Sequence, residues 1–182
     1  ITLLFARPVY ERVANAYIEG LEMLPRERDL SRVSSVASFF VSRIDTKVDG
    51  WIEDKIKAGS EEKGKLESLL GKVAIANAKL AYEQYKKLFS GDRWRALAKR
   101  GARPQRLLWA STSTKNKAYS DVLYVETLIG PNTINTMPPE TLEAYRDHGK
   151  PEATLEQNID QARQTLDEFK QVGLSLDRAT DE

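Results

Sequence analysis

The chain has 182 residues, 41% of them hydrophobic, which is enough to bury one core, and no cysteine, which excludes disulfides, thiolate metal sites and cysteine nucleophiles. Its 28 lysines and arginines against 27 aspartates and glutamates give a net charge of +1, so nothing in the bulk charge calls for nucleic acid or an anionic membrane as a partner. No apolar run approaches the ~20 residues of a membrane span and no basic-then-apolar leader precedes Ile1, so a cytoplasmic location is the expectation.

The opening "ITLLFA" is a short apolar run rich in β-formers, cut off by "RP", which suits Pro8 as a first helical residue. Over 8–24, Val9, Val13, Ala16, Tyr17, Leu21 and Leu24 recur at spacings of three and four and predict an amphipathic helix. "VSSVASFFVS", 33–42, reads as a second buried strand in which the neighbours Phe39 and Phe40 must face opposite ways. A helix follows over 45–56. A long one is predicted over 63–89, with Leu66, Leu70, Val73, Asn77, Leu80, Gln84 and Leu88 on one stripe.

"RWRALAKRG" is a short helix ended by Gly101, "RLLWAS" a third strand, "YSDVLYVETLIG" a short helix or turn, and "NTINTM" a fourth strand stopped by two prolines. "PPETLEAYRDHG" and "TLEQNIDQARQTLDEFKQVG" are the last two helices. Strands alternating with helices predict an α/β fold with a parallel sheet, either doubly wound or a (β/α) barrel. In both, ligands sit at the carboxyl ends of the strands.

The residues after those strands are chemically uneven. Arg43 offers a fixed fork of donors, "STSTK" offers Ser111, Thr112, Ser113 and Thr114 with the charge of Lys115, and together they describe an anion pocket suited to phosphate. The plainer alternatives are a surface arginine at a helix start and an ordinary polar loop, because no fixed P-loop spacing is present. Thr2 and Ser38 could point into a barrel interior or be satisfied by backbone. His148, the one histidine, reads as a capping or surface residue. Asp45 and Asp49, four apart, are the carboxylates nearest a strand end. No lysine stands in the middle of an apolar strand, where burial could make an amine nucleophile. These residues can bind, but the chemistry of a reaction is missing from them.

Taken in order, "ITLLFA", "YIEGLE", "VASFFVSRIDTKVD", "IANAKLAYEQYKKLF", "RWRALAKRGARPQRLLWASTSTKN" and "YVETLIGPNTINTMPPETLEAYRDHG" resemble the bacterial transaldolases essentially end to end. The branch it looks most like also occurs fused to glucose-6-phosphate isomerase. The resemblance implies a (β/α)8 TIM barrel of which the chain covers about strands 5–8, with the N-terminal half absent. It implies transfer of a dihydroxyacetone unit between sugar phosphates through a lysine Schiff base, with no metal or organic cofactor.

Residue by residue, Thr2 is similar to the threonine of the family's "N-x-T" strand motif. Ser38, Phe40 and Arg43 match "S-x-F-x-x-R", whose arginine binds substrate phosphate, and Ser111 matches the phosphate-side serine. Where many members carry "A-S-x-R-N" this chain has "A-S-T-S-T-K-N", so Lys115 is expected to supply the positive charge from a position two residues later. The Schiff-base lysine and the acid/base carboxylates are expected before Ile1, which predicts no turnover by these residues alone. The alternatives are a fructose 6-phosphate aldolase-like enzyme and a non-catalytic sugar-phosphate-binding module.

Overall fold

In the computed structural model, which describes residues 1–181, three strands make one parallel sheet in the order β1 (Val36–Phe40), β2 (Arg106–Ala110), β3 (Thr133–Asn135). Val36 pairs with Arg106 through to Phe40 with Ala110, and Leu107 with Thr133 through to Trp109 with Asn135. Nine helices accompany them among the described residues: α1 (Arg7–Glu22), α2 (Ser42–Lys57), α3 (Lys63–Leu69), α4 (Val73–Leu88), α5 (Asp92–Ala98), α6 (Leu123–Glu126), α7 (Pro139–His148), α8 (Ile159–Gln171) and α9 (Leu176–Asp181). Each strand reaches its neighbour through helical crossovers, as parallel pairing demands.

Period-two alternation sorts the sheet into two faces. Ala37, Phe39, Leu107 and Trp109 are fully buried with Tyr10 and Ala14 of α1, Ile44 and Val48 of α2, and Ala78 and Ala81 of α4. Phe39 meets Tyr10 and Trp109 edge-on, at centroid distances of 6.4 and 6.2 Å, and the Trp109 indole N–H donates to the Leu128 carbonyl at 3.0 Å. Phe39 is therefore the member of the phenylalanine pair that faces the helices. Val36, Ser38, Phe40, Leu108 and Ile134 line the other face, which is only half-buried.

Four expectations need correction. "ITLLFA" is not a regular strand: it lies parallel to β1 through a single bridge, Leu4 to Phe39, with Leu4 N–H donating to Ser38 O at 3.1 Å and Phe40 N–H to Leu4 O at 2.8 Å. Leu3 stands in left-handed backbone at φ 60° and interrupts the pairing, which resumes at Ile1, whose carbonyl accepts from Ser38 N–H at 3.0 Å and whose amino group donates to Val36 O at 3.1 Å. The helix expected over 45–56 starts at Ser42, so Arg43 belongs to its first turn and not to a loop after the strand.

The long helix expected over 63–89 is two helices, α3 and α4, broken at Leu70 to Lys72. Gly71 adopts φ +70°, and a Cβ there would stand 2.9 Å from Cζ of Tyr119, so both backbone and clearance require glycine. Finally, Leu176–Asp181 forms a ninth helix beyond the last one that periodicity predicts. No helix of the described residues is long and apolar enough to cross a membrane.

Candidate functional site

The carboxyl ends of β1 and β2 are stitched together past the last regular pair. Val41 N–H donates to Ala110 O at 3.0 Å and Ser42 N–H to Ser111 O at 2.9 Å, and the Ser42 and Ser111 hydroxyl oxygens lie 2.9 Å apart. Ser111 takes φ 56°, an uncommon conformation for a residue with a Cβ. The chain accepts this cost where the strand must turn sharply out of the sheet, and such outliers concentrate at functional sites.

Arg43 follows Ser42 directly. Its guanidinium lies 4.9 Å from the centroid of the Phe40 ring, which itself packs against Phe5 at 5.1 Å. The aromatic face steadies the cation without consuming its N–H donors. Arg43 makes no hydrogen bond or ion pair among the described residues. A cavity of about 540 Å³ opens elsewhere, between α1, α4, α8 and α9; the one beside Arg43 is smaller, about 240 Å³, and is lined by Phe5, Arg43, Ile44, Lys47, Ala179 and Thr180. Two cations and two large apolar side chains thus share that smaller space.

The hydroxyl run after β2 divides by role. Thr112, fully buried, has its hydroxyl 2.7 Å from Asn135 Oδ1 and 3.1 Å from Thr136 O, tying the end of β2 to the end of β3. Thr114 donates to Ser120 O at 2.9 Å, which closes the segment into a turn. These two hydroxyls are spent on structure; of the other two, Ser111 shares its hydrogen bond with Ser42, and the Ser113 side chain makes none among the described residues. Lys115 sits on the same turn, exposed, with no hydrogen bond or ion pair among the described residues.

Of the six expected substrate contacts, Phe40 and Arg43 touch, and Ser111 is bonded to the residue next to Arg43. Ser38 shares the half-buried sheet face with Phe40. Thr2 is exposed at the start of the chain and Lys115 is exposed on its turn; no hydrogen bond links either to the other four. His148 is a surface residue, with Nε2 2.8 Å from Asp121 Oδ1 and Nδ1 3.1 Å from Asp147 Oδ2.

Asp45 and Asp49, the carboxylates closest to the site in sequence, are committed to backbone amides. Asp45 Oδ1 accepts from Ala74 N–H at 2.7 Å; Asp49 Oδ1 accepts from Gly71 N–H at 3.1 Å and its Oδ2 from the Tyr119 hydroxyl at 2.7 Å. Burial pushes the Asp45 carboxyl up to about 7, helped by the Asp49 charge and opposed by the Ala74 amide, and burial raises Asp49 as well. Tyr119 was missed from sequence, since its hydroxyl partner lies 70 positions earlier. Lys79 was missed too: on α4, 8% exposed, it donates to Thr154 O at 2.8 Å and Gln157 O at 2.7 Å, while burial lowers its pKa. Those two carbonyls favour the ammonium, so its role is to anchor the segment before α8.

Parallel strands with an arginine and a lysine just beyond their carboxyl ends, neither ion-paired among the described residues, define an α/β protein with a candidate anion site on the strand rim. Sequence comparison narrows that class. A model of the family "Transaldolase/Fructose-6-phosphate aldolase" matches residues 1–182, and the chain belongs to that family. It is 51% identical over 179 residues to "Transaldolase" of Trichodesmium erythraeum and 52% identical over 178 residues to "Transaldolase" of Parafrankia sp., in each case over 97% of this chain and 47% of the relative. It is 50% identical over 178 residues to "Transaldolase" of Thiobacillus denitrificans, over 97% of this chain and 48% of the relative. The chain thus spans about half the length of the curated relatives it matches. Membership implies the TIM barrel as the family fold, and the three parallel strands with their helices are consistent with part of one.

Proposed function

We propose that these residues form strands 5–8 of a transaldolase barrel, and that the parent enzyme transfers a dihydroxyacetone unit between sugar phosphates. Residues 1–6, "ITLLFA", stand for strand 5, irregular and with one bridge, and β1, β2 and β3 for strands 6, 7 and 8. Arg43, Ser111 and Lys115 hold the substrate phosphate, and Thr2, Ser38 and Phe40 line the space beside it. The Schiff-base lysine and the acid/base carboxylates belong to the other strands of the barrel.

The observation that carries this reading is the double tie between Ser42 and Ser111, which fixes the residue beside Arg43 against the left-handed serine at the strand rim. A phosphate there would meet the arginine fork, a hydroxyl and a lysine, all of them donors, and charge-assisted bonds of this kind are the strong ones. The half-buried face carrying Ser38, Phe40, Leu108 and Ile134 supports the barrel half of the proposal, because a closed barrel fills that side with facing residues. The family also includes fructose 6-phosphate aldolases; the names of the relatives favour transfer over simple cleavage.

The test is to incubate the 182-residue chain with fructose 6-phosphate and borohydride and weigh the intact protein. The proposal expects no added mass, and a three-carbon adduct once the chain is joined to the remaining half of a barrel. An adduct on the chain alone places a Schiff-base lysine within it and overturns the assignment.

A further inference from the structure

The turn that carries Lys115 is bolted at both ends to one helix. Thr114 donates to Ser120 O at 2.9 Å, Ala118 N–H donates to Asn116 Oδ1 at 2.9 Å, and Tyr119 N–H donates to Asn116 O at 3.1 Å, so residues 114–120 are cross-linked into one unit with Lys115 inside it. At the near end Ser111 is held by Ser42 through a backbone bond and a hydroxyl contact, each at 2.9 Å. At the far end the Tyr119 hydroxyl donates to Asp49 Oδ2 at 2.7 Å, and the Tyr119 ring lies so close to Gly71 that a Cβ there would come within 2.9 Å of it. Ser42 and Asp49 are seven residues apart on α2, two turns along one face. Arg43 rides on the same helix.

We infer that Tyr119 and Asp49 are positioning residues for the phosphate end of the site: they hold the Lys115 turn at a fixed offset from Arg43, so that both cations reach one anion. The inference rests on the phosphate-binding reading above. Asp49 is well suited to the task because its other oxygen is already fixed by the Gly71 amide, leaving Oδ2 little freedom to follow a moving tyrosine. The same contact explains why α3 and α4 break where they do: the break exposes the Gly71 amide to Asp49 and makes room for the ring.

The experiment is a double-mutant cycle on inorganic phosphate affinity, read by NMR titration of the 182-residue chain, with thermal melts of every variant. Tyr119→Phe keeps the ring on Gly71 and removes the hydroxyl; its phosphate affinity should fall roughly three- to tenfold, the range of one lost hydrogen bond. In a Lys115→Ala background the same substitution should cost little more, because the turn then has no cation left to misplace. Asp49→Ala, which cuts the tie from the helix side, should reproduce both results if Tyr119→Phe fails to fold. Asp49→Asn retains an oxygen for Gly71 and a polar partner for Tyr119, and should stay within about twofold of the unsubstituted chain. Unchanged affinity in Tyr119→Phe and Asp49→Ala, or losses that add in full to that of Lys115→Ala, overturns the positioning role and leaves phosphate binding standing. Failure of the unsubstituted chain to bind phosphate overturns both.

Discussion

The Ser42 and Ser111 side chains meet oxygen to oxygen at 2.9 Å, across strand ends that come from positions 69 residues apart. Ser42 opens α2 and Ser111 directly follows β2, so a single contact sets where a helix start lies relative to a strand end. The left-handed backbone at Ser111 is held in place by that contact together with the Ser42 N–H bond to its carbonyl.

Substitution at Ser111 separates its two roles. Ser111→Ala loses the hydroxyl while keeping the unfavourable φ of 56°, and should destabilise by about 1 kcal/mol. Ser111→Gly loses the same hydroxyl but relieves the backbone, and should be the more stable of the two variants. Urea melts rank them; phosphate affinity should fall in both.

Arg43 should carry the largest share of anion affinity, because it is the only planar fork of donors among the expected phosphate contacts. Arg43→Ala should weaken inorganic phosphate binding by roughly ten- to a hundredfold, the equivalent of about 1.5 to 3 kcal/mol for a lost charge-assisted bond. Arg43→Lys should recover some of the loss, since the charge returns without the fork or the flat face that lies on Phe40. Titration calorimetry at two salt concentrations gives the ranking.

Asp45 makes stability fall as pH rises. Its folded pKa is raised, from 3.8 to about 7, so below about pH 4 the carboxyl is neutral in both states; between about 4 and 7 the folded chain holds a proton that the unfolded chain has released. The contribution is fully present below about pH 4 and is lost as pH rises through about 7. Asp45→Asn keeps an acceptor for the Ala74 amide and cannot ionise. It should match the unsubstituted chain near pH 4, exceed it by about 1 to 3 kcal/mol at pH 8, and flatten the pH dependence between. Thermal melts across that range test the sign.

Gly71→Ala should be costly even though the residue lies outside both α3 and α4. Left-handed backbone costs a residue with a Cβ about 1 to 2 kcal/mol, and the Tyr119 ring must also give way from 2.9 Å. A loss of about 2 kcal/mol in chemical denaturation is expected, together with weaker phosphate binding if the ring carries the Lys115 turn with it.

Alternation alone made the Phe39 and Phe40 division legible; the contact between Phe40 and Arg43, three residues apart across the start of α2, emerged only from the structure. Apolar runs located β1, β2 and β3 within a few residues. What periodicity could not reveal was decided by distant partners. The stripe through Leu66, Leu70, Val73 and Asn77 continues unbroken across Gly71, and the break there is enforced by Asp49 and Tyr119. Likewise nothing in "STSTK" distinguishes the hydroxyls of Thr112 and Thr114 from those of Ser111 and Ser113 until Asn135, Thr136 and Ser120 are placed beside them. The strand expected at "ITLLFA" had the right composition, and its backbone still turned left-handed at Leu3.

The proposed function stands or falls on an anion binding at the strand rim formed by Arg43, Ser111 and Lys115. Amide chemical shifts of the 182-residue chain, followed as inorganic phosphate is added, test this most directly. Saturable shifts centred on residues 42–43 and 111–115 are the expected result. Shifts confined instead to Arg103 and Arg106, which line a cavity of about 490 Å³ at the start of β2 with Ser34, Ser35 and Asn132, would contradict it, as would no saturable shift at all.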